Sequence, residues 1–161
     1  MFSFDDELFD KLLLDAERSA RKRAHYNIHK DYNEKVQRLC IALKSGTYVR
    51  PHSHTDSDAW EMIMALRGCV AMLIFDIDGS VKERIELSPD TGIIAIEMEP
   101  NTWHMVFPVS SEAILFEVKE GPFRPKKNSD FACWSPEENS DEVSEFLAWA
   151  QCAKVDDQYR K

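Results

Sequence analysis

Between residues 38 and 119, short apolar runs alternate with turn residues, at intervals of about ten positions. That spacing is too short for the crossover helices of a parallel sheet, so it constrains the fold more than any other feature of the chain. The pattern predicts strands over 38–44, 47–54, 60–66, 69–77, 81–87, 92–98, 103–108 and 113–119. Asp78-Gly79 reads as a two-residue hairpin turn. Ser45-Gly46, Arg67-Gly68 and Asp90-Thr91-Gly92 are further turns. Serial antiparallel strands of this kind point to a jelly roll or small barrel, a mainly β fold. Helices are expected at both ends. Ser3 is placed as an N-cap, and Phe9, Leu12, Leu13 and Ala16 recur on one helical face. Ser135 and Pro136 read as the start of a C-terminal helix, with Val143, Phe146, Leu147 and Ala150 as its buried stripe. The acidic run from Glu137 to Glu145 is then its solvated face.

With 161 residues the chain is long enough for one domain with a real core. Twenty basic residues against 29 acidic ones give a net charge of −9, which argues against nucleic acid as a partner. The longest apolar stretch, 68–75, is too short for membrane insertion, and the N-terminus lacks the pattern of an export signal. The expected location is therefore cytoplasmic, with Cys40, Cys69, Cys133 and Cys152 as reduced thiols; no pair forms Cys-x-x-Cys.

The chemistry concentrates in a few positions. His52 and His54 lie two apart in a run that reads as a strand, which puts both imidazoles on one face. Tyr48 and Arg50 share that parity and become candidates for substrate binding. Glu61 opens the next strand, and His104 begins another. Three imidazoles and one carboxylate suit one divalent metal ion (Fe, Mn, Ni, Co or Zn) with open positions for a ligand. Glu117 and Lys119 share a parity, so they either face the pocket as substrate contacts or pair with each other. His25 and His29 have helical spacing and read as surface groups or as a supporting shell. Arg18, Arg21, Lys22 and Arg23 form a basic cluster, either a solvated face or a contact for an anionic ligand. Trp60 and Trp103 adjoin metal candidates as packing residues, and Cys133 reads as an inert thiol.

Gly46-Thr47-Tyr48-Val49-Arg50-Pro51-His52-Ser53-His54, followed by Glu61 and Gly68, resembles the first cupin motif. The six residues between His54 and Glu61 exceed the motif's usual gap. Gly92 to His104 resembles the second motif, with Asn101 where a turn glycine is usual and Pro108 where an asparagine often stands. Asn tolerates positive φ, so the turn survives the change. Arg50-Pro51-His52, Trp60-Glu61, Thr102-Trp103-His104, Glu117-Val118-Lys119 and Phe131-Ala132 resemble the WbuC-type cupin metalloproteins, as does the stretch from Arg21 to His29. The resemblance implies a single cupin jelly-roll barrel over 36–122, a helix and lead-in segment over 1–35, and a C-terminal loop and helix over 123–161. It also implies a metal at His52, His54, Glu61 and His104, and a setting in surface-polysaccharide metabolism. The expected function is Lewis-acid chemistry of the isomerase, epimerase or lyase kind on a small polar molecule such as a sugar. A non-catalytic sugar-binding module and an Fe(II) dioxygenase are the alternatives. A small-molecule ligand and a homodimer are the expected partners.

Overall fold

In a computed structural model, which describes residues 1–54, 60–90 and 92–159, the strands form two antiparallel sheets. The element order is α1 (Asp6–Arg18), β1 (Arg23–Asn27), β2 (Val36–Lys44), β3 (Glu61–Arg67), β4 (Val70–Phe75), β5 (Val81–Leu87), β6 (Ala95–Met98), β7 (Trp103–Pro108), β8 (Glu112–Glu120) and α2 (Val143–Cys152). One sheet has the order β1-β2-β8-β3-β6, and the other β5-β4-β7. The fold is a mainly β jelly roll with terminal helices.

Strand alternation sorts the side chains into layers. Ile41 and Leu43 of β2, Ile63 of β3, Val70, Met72 and Ile74 of β4, and Leu115 of β8 meet between the sheets. The opposite parity of β2, Cys40 and Ala42, packs with Ile114 against Phe9, Leu12, Leu13 and Ala16 of α1. The opposite parity of β4, Ala71, Leu73 and Phe75, packs against Phe146 and Ala150 of α2. Both faces of β4 are thus covered, and its six residues are all buried. That is why 70–75 reads as a continuous apolar run rather than an alternating one.

The turns follow the sequence with one adjustment. Asn101 adopts φ 63, the left-handed conformation expected of it. Asp78-Gly79 does make the β4–β5 hairpin, but with a longer loop: Gly79 N–H donates to the Asp76 carbonyl at 3.0 Å, and Asp76 N–H to that of Ser80 at 2.9 Å. Ile77, Asp78 and Gly79 make a three-residue loop, with Gly79 at the φ > 0 position (φ 89). Part of the expected 90–92 turn, Thr91, lies outside the described residues.

Four further expectations need correction. The run 47–54 is not a strand: it pairs only through isolated bridges from His52 to His104 and to Phe131, since Pro51 has no N–H to give a ladder. The first helix is capped by Asp5, whose side chain accepts from Leu8 N–H, while Ser3 supports Asp5 from outside. The last helix starts at Val143, not near Ser135. The residues before it are committed elsewhere: the Pro136 carbonyl accepts from Tyr48 and the Glu138 carboxylate from Arg21 and Arg23. The acidic run therefore lies mostly ahead of the helix. Finally, β1 comes from the expected lead-in and pairs along β2 from Arg23↔Leu43 to Asn27↔Leu39. Among the described residues no helix is long and apolar enough to cross a membrane.

Phe146 is fully buried beneath the three-stranded sheet. Phe146→Ala is expected to cost about 3–5 kcal/mol of stability. Urea denaturation followed by circular dichroism measures this; an unchanged midpoint would mean α2 contributes no core.

Candidate functional site

The site begins with a backbone bridge. His52 N–H donates to the His104 carbonyl at 3.0 Å, and His104 N–H to the His52 carbonyl at 2.9 Å. The reciprocal pair sets the two rings side by side, with centroids 4.3 Å apart. His54, two residues on, brings a third ring 5.5 Å from His52 and 5.8 Å from His104. One ligating atom from each of the three histidines lies within 4.8 Å of the others. Of the six residues between His54 and Glu61, 55–59 lie outside the described residues.

Glu61, first residue of β3, completes the cluster. Its Oε2 lies 2.9 Å from His54 Nε2 and 3.4 Å from His104 Nε2. The outer nitrogens are already held: His52 Nδ1 lies 2.8 Å from the Arg50 carbonyl, and His104 Nδ1 lies 2.9 Å from that of Thr102. Carbonyls only accept, so both Nδ1 atoms carry protons and both Nε2 lone pairs face inward. Lone pairs and a carboxylate oxygen then crowd one point, an arrangement that calls for a positive charge among them. This donor set fits a divalent cation of the first transition row.

The electrostatics agree. Burial, with His104 and Lys126 adding to it, holds the His52 pKa well below its usual value. Burial also lowers His54, against the pull of Glu61. Burial works to raise the Glu61 carboxyl, but His104, His54 and Lys119 outweigh it and keep it well below the usual carboxylate range. The result favours neutral His52 and His54 beside an ionised Glu61, the protonation state a metal needs.

Further along the same wall sit Glu117 and Lys119, on the inward parity of β8. Lys119 Nζ is 2.5 Å from Glu117 Oε1 and 3.9 Å from Glu61 Oε1. The two residues line the cavity and also pair with each other. Burial and the Glu61 charge push the Glu117 carboxyl up. Burial opposes the Lys119 charge, but Glu117 and Glu61 prevail and raise it to about 12. Lys126 Nζ stands 3.5 Å from both ring nitrogens of His54, its pKa pushed down to about 8 by burial. Sequence reasoning missed Lys126, because it lies in a loop whose composition signals only a connection.

The cluster closes one end of a cavity of about 660 Å³, a size suited to a small molecule. Leu39, Ile41, Val49, Ile63, Val106 and Leu115 line its middle. Arg21, Arg23, His25 and His29 also border it, brought there by β1. Helical spacing misplaced the two histidines: His25 lies in the strand and His29 just beyond it. The basic cluster is largely internally paired, Arg21 and Arg23 with Glu138 and Lys22 with Glu17.

Tyr48 and Arg50 do not line the cavity. Tyr48 is buried beside Phe146, with its hydroxyl donating to the Pro136 carbonyl at 2.9 Å. Arg50 donates to Ser135 Oγ and the Ala132 carbonyl, and its guanidinium lies over the Phe131 ring. The expected shared parity fails because the segment is not a regular strand through Pro51; Val49 takes the inward place.

Two histidines of the cluster resist protonation in the folded chain, so acid should destabilise it. The unfolded chain takes up protons near pH 6.5, while folded His52 and His54 do not. These groups contribute no slope above about pH 7, and stability falls as pH drops below about 6.5. Urea midpoints of metal-free protein between pH 7.5 and 5 measure this; a flat profile contradicts it.

Solved structures with related folds share little sequence. TT1209 from Thermus thermophilus aligns with a TM-score of 0.55 at 21% identity, over 74% of this chain and 97% of that one. A cupin 2 domain-containing protein from Halorhodospira halophila aligns with a TM-score of 0.50 at 12% identity, over 85% of each chain. An HTH_3 family transcriptional regulator from Vibrio cholerae aligns with a TM-score of 0.49 at 16% identity, over 63% of this chain and about half (52%) of its own length. No curated protein matches the chain. Residues 4–87 match the family described as "Domain of unknown function (DUF6016)", and the chain, a cupin by fold, belongs to that family.

Proposed function

We propose that the protein is a divalent-metal enzyme that rearranges a small oxygen-rich molecule by proton transfer. The observation that carries this reading is the buried Glu117–Lys119 pair, one ion-pair distance from Glu61 and inside the cavity that Glu61, His52 and His104 also line. Holding a ligand does not require a buried carboxyl whose pKa is pushed up by burial and a neighbouring carboxylate; moving a proton is helped by one.

His52, His54, His104 and Glu61 are the residues that would hold the ion. A cation bound there supplies Lewis acidity to substrate oxygens. Glu117 holds or releases a proton at its carboxyl, and Lys119 steadies its charge. Lys126, beside His54 at the cavity wall, neutralises negative charge on a bound molecule. The apolar middle of the cavity excludes water from the reacting end. The WbuC-like residues, Arg50-Pro51-His52, Thr102-Trp103-His104 and Glu117-Val118-Lys119, support a sugar derivative of surface-polysaccharide metabolism as the substrate, and isomerase, epimerase or lyase chemistry as the reaction.

Elemental analysis of purified protein beside His52→Ala and His104→Ala tests the centre. The wild type is expected to retain metal and both variants to lose most of it; equal content in all three overturns the proposal. Added zinc or manganese at about 100 times its dissociation constant should stabilise the wild type by about 2.7 kcal/mol and leave the variants unmoved. Thermal denaturation with and without metal reads this directly.

A further inference from the structure

At the end of the cavity away from the metal ligands, two buried polar atoms lack hydrogen-bond partners among the described residues: His29 Nε2 and Gln37 Oε1. His29 is 6% exposed and Gln37 1%, and both residues line the cavity. An unpaired polar atom buried this deeply is costly unless something fills its position.

Their chemical characters are fixed by their other halves. His29 Nδ1 lies 3.0 Å from Arg38 N–H and equally near the Arg38 carbonyl. That carbonyl already accepts from Ile28 N–H at 2.9 Å. Nδ1 therefore accepts from Arg38 N–H, and the ring proton resides on Nε2, a donor. Gln37 Nε2 donates to the Glu34 carbonyl at 2.8 Å and the Tyr32 carbonyl at 3.2 Å. Those bonds fix the amide's orientation, so the free atom is the oxygen, an acceptor.

His29 is held on the N–H of Arg38, the residue next to Gln37, so the donor and the acceptor belong to one stretch of the cavity wall and together select against charged groups. A carboxylate meets the Gln37 oxygen lone pairs, and an ammonium meets the His29 N–H. A hydroxyl satisfies both, accepting from His29 and donating to Gln37. The register sets the span: Gln37 pairs with Lys119 across β2–β8, and Lys119 pairs with Glu61 across β8–β3. Gln37 and Glu61 are thus two strand spacings apart, about 10 Å between backbones.

We propose that His29 and Gln37 form a hydroxyl-binding subsite, which recognises the far end of a ligand whose near end reaches the metal centre. The span rests on the metal reading above; the subsite itself does not. The ligand it selects carries oxygen donors at one end, an apolar or weakly polar stretch against Leu39 and Ile63, and a neutral hydroxyl at the other end.

The probes are a series of ω-hydroxyalkyl hydroxamic acids of increasing chain length, each beside its unhydroxylated counterpart. They are titrated into zinc-loaded protein labelled with ¹⁵N-histidine, with zinc content measured separately. One chain length should bind about tenfold tighter with the hydroxyl than without it, the effect of two modest hydrogen bonds. The same hydroxylated probe should shift the His29 Nε2 resonance. His29→Asn keeps an acceptor near the Nδ1 position for Arg38 N–H and removes the donor. It should retain zinc and erase the tenfold gain. A His29 Nε2 resonance that no hydroxylated probe moves, at any zinc occupancy, overturns the subsite. A chain that takes up no zinc overturns the metal reading alone, and the resonance still decides the subsite.

Discussion

Two backbone hydrogen bonds between His52 and His104 hold the candidate site together. The segment carrying His52 and His54 has no strand ladder of its own, because proline interrupts it. On one side it is tied to β7 through His104. On the other, Ser53 N–H donates to the Asp130 carbonyl and Ala132 N–H to that of Pro51, each at 2.9 Å. An irregular strip clamped from both sides positions its imidazoles as firmly as a strand would. It also leaves the chain free to turn Val49 inward and Tyr48 outward.

The helices make the interior available for chemistry. By covering the outer faces of β2 and β4, α1 and α2 supply apolar burial outside the sandwich. The inner faces can then grade from a packed core at Leu43 and Met72 to charged groups at Glu61, Glu117 and Lys119 without leaving the fold short of buried apolar surface. Glu61 and Lys119 are directly opposed across β3 and β8, and Glu117 opposes Ile63. One shift of register would turn these charges into the α1 layer, so the apolar alternation of β8 sets the chemistry as well as the packing.

Much of this was legible in the sequence, for identifiable reasons. The stripe Phe9, Leu12, Leu13 and Ala16 found α1 because those four residues do pack as one face. β5 and β7 were legible because turns flank them closely. Motif spacing brought together His52, His54, Glu61 and His104 although they are remote along the chain. β1 was hidden because its residues, Arg23-Ala24-His25-Tyr26-Asn27, lack the apolar alternation that marks a half-buried strand; its inward face borders a cavity rather than a core. Tyr48 and Arg50 were misplaced by assuming period-two geometry through Pro51. Lys126 reaches the cavity through tertiary contacts alone, which no local pattern encodes, whereas Gln37 follows the inward parity of β2 one residue ahead of the expected strand.

The clamp on His52 and the double hold of Glu138 on Arg21 and Arg23 draw their partners from opposite ends of the polymer. During synthesis on a ribosome, the candidate metal ligands emerge before the residues around 130 to 138 that fasten their surroundings. A nascent chain can build its sheets while the chemical centre stays loose, and competence arrives only once the region around residues 130 to 138 has cleared the exit tunnel and folded back.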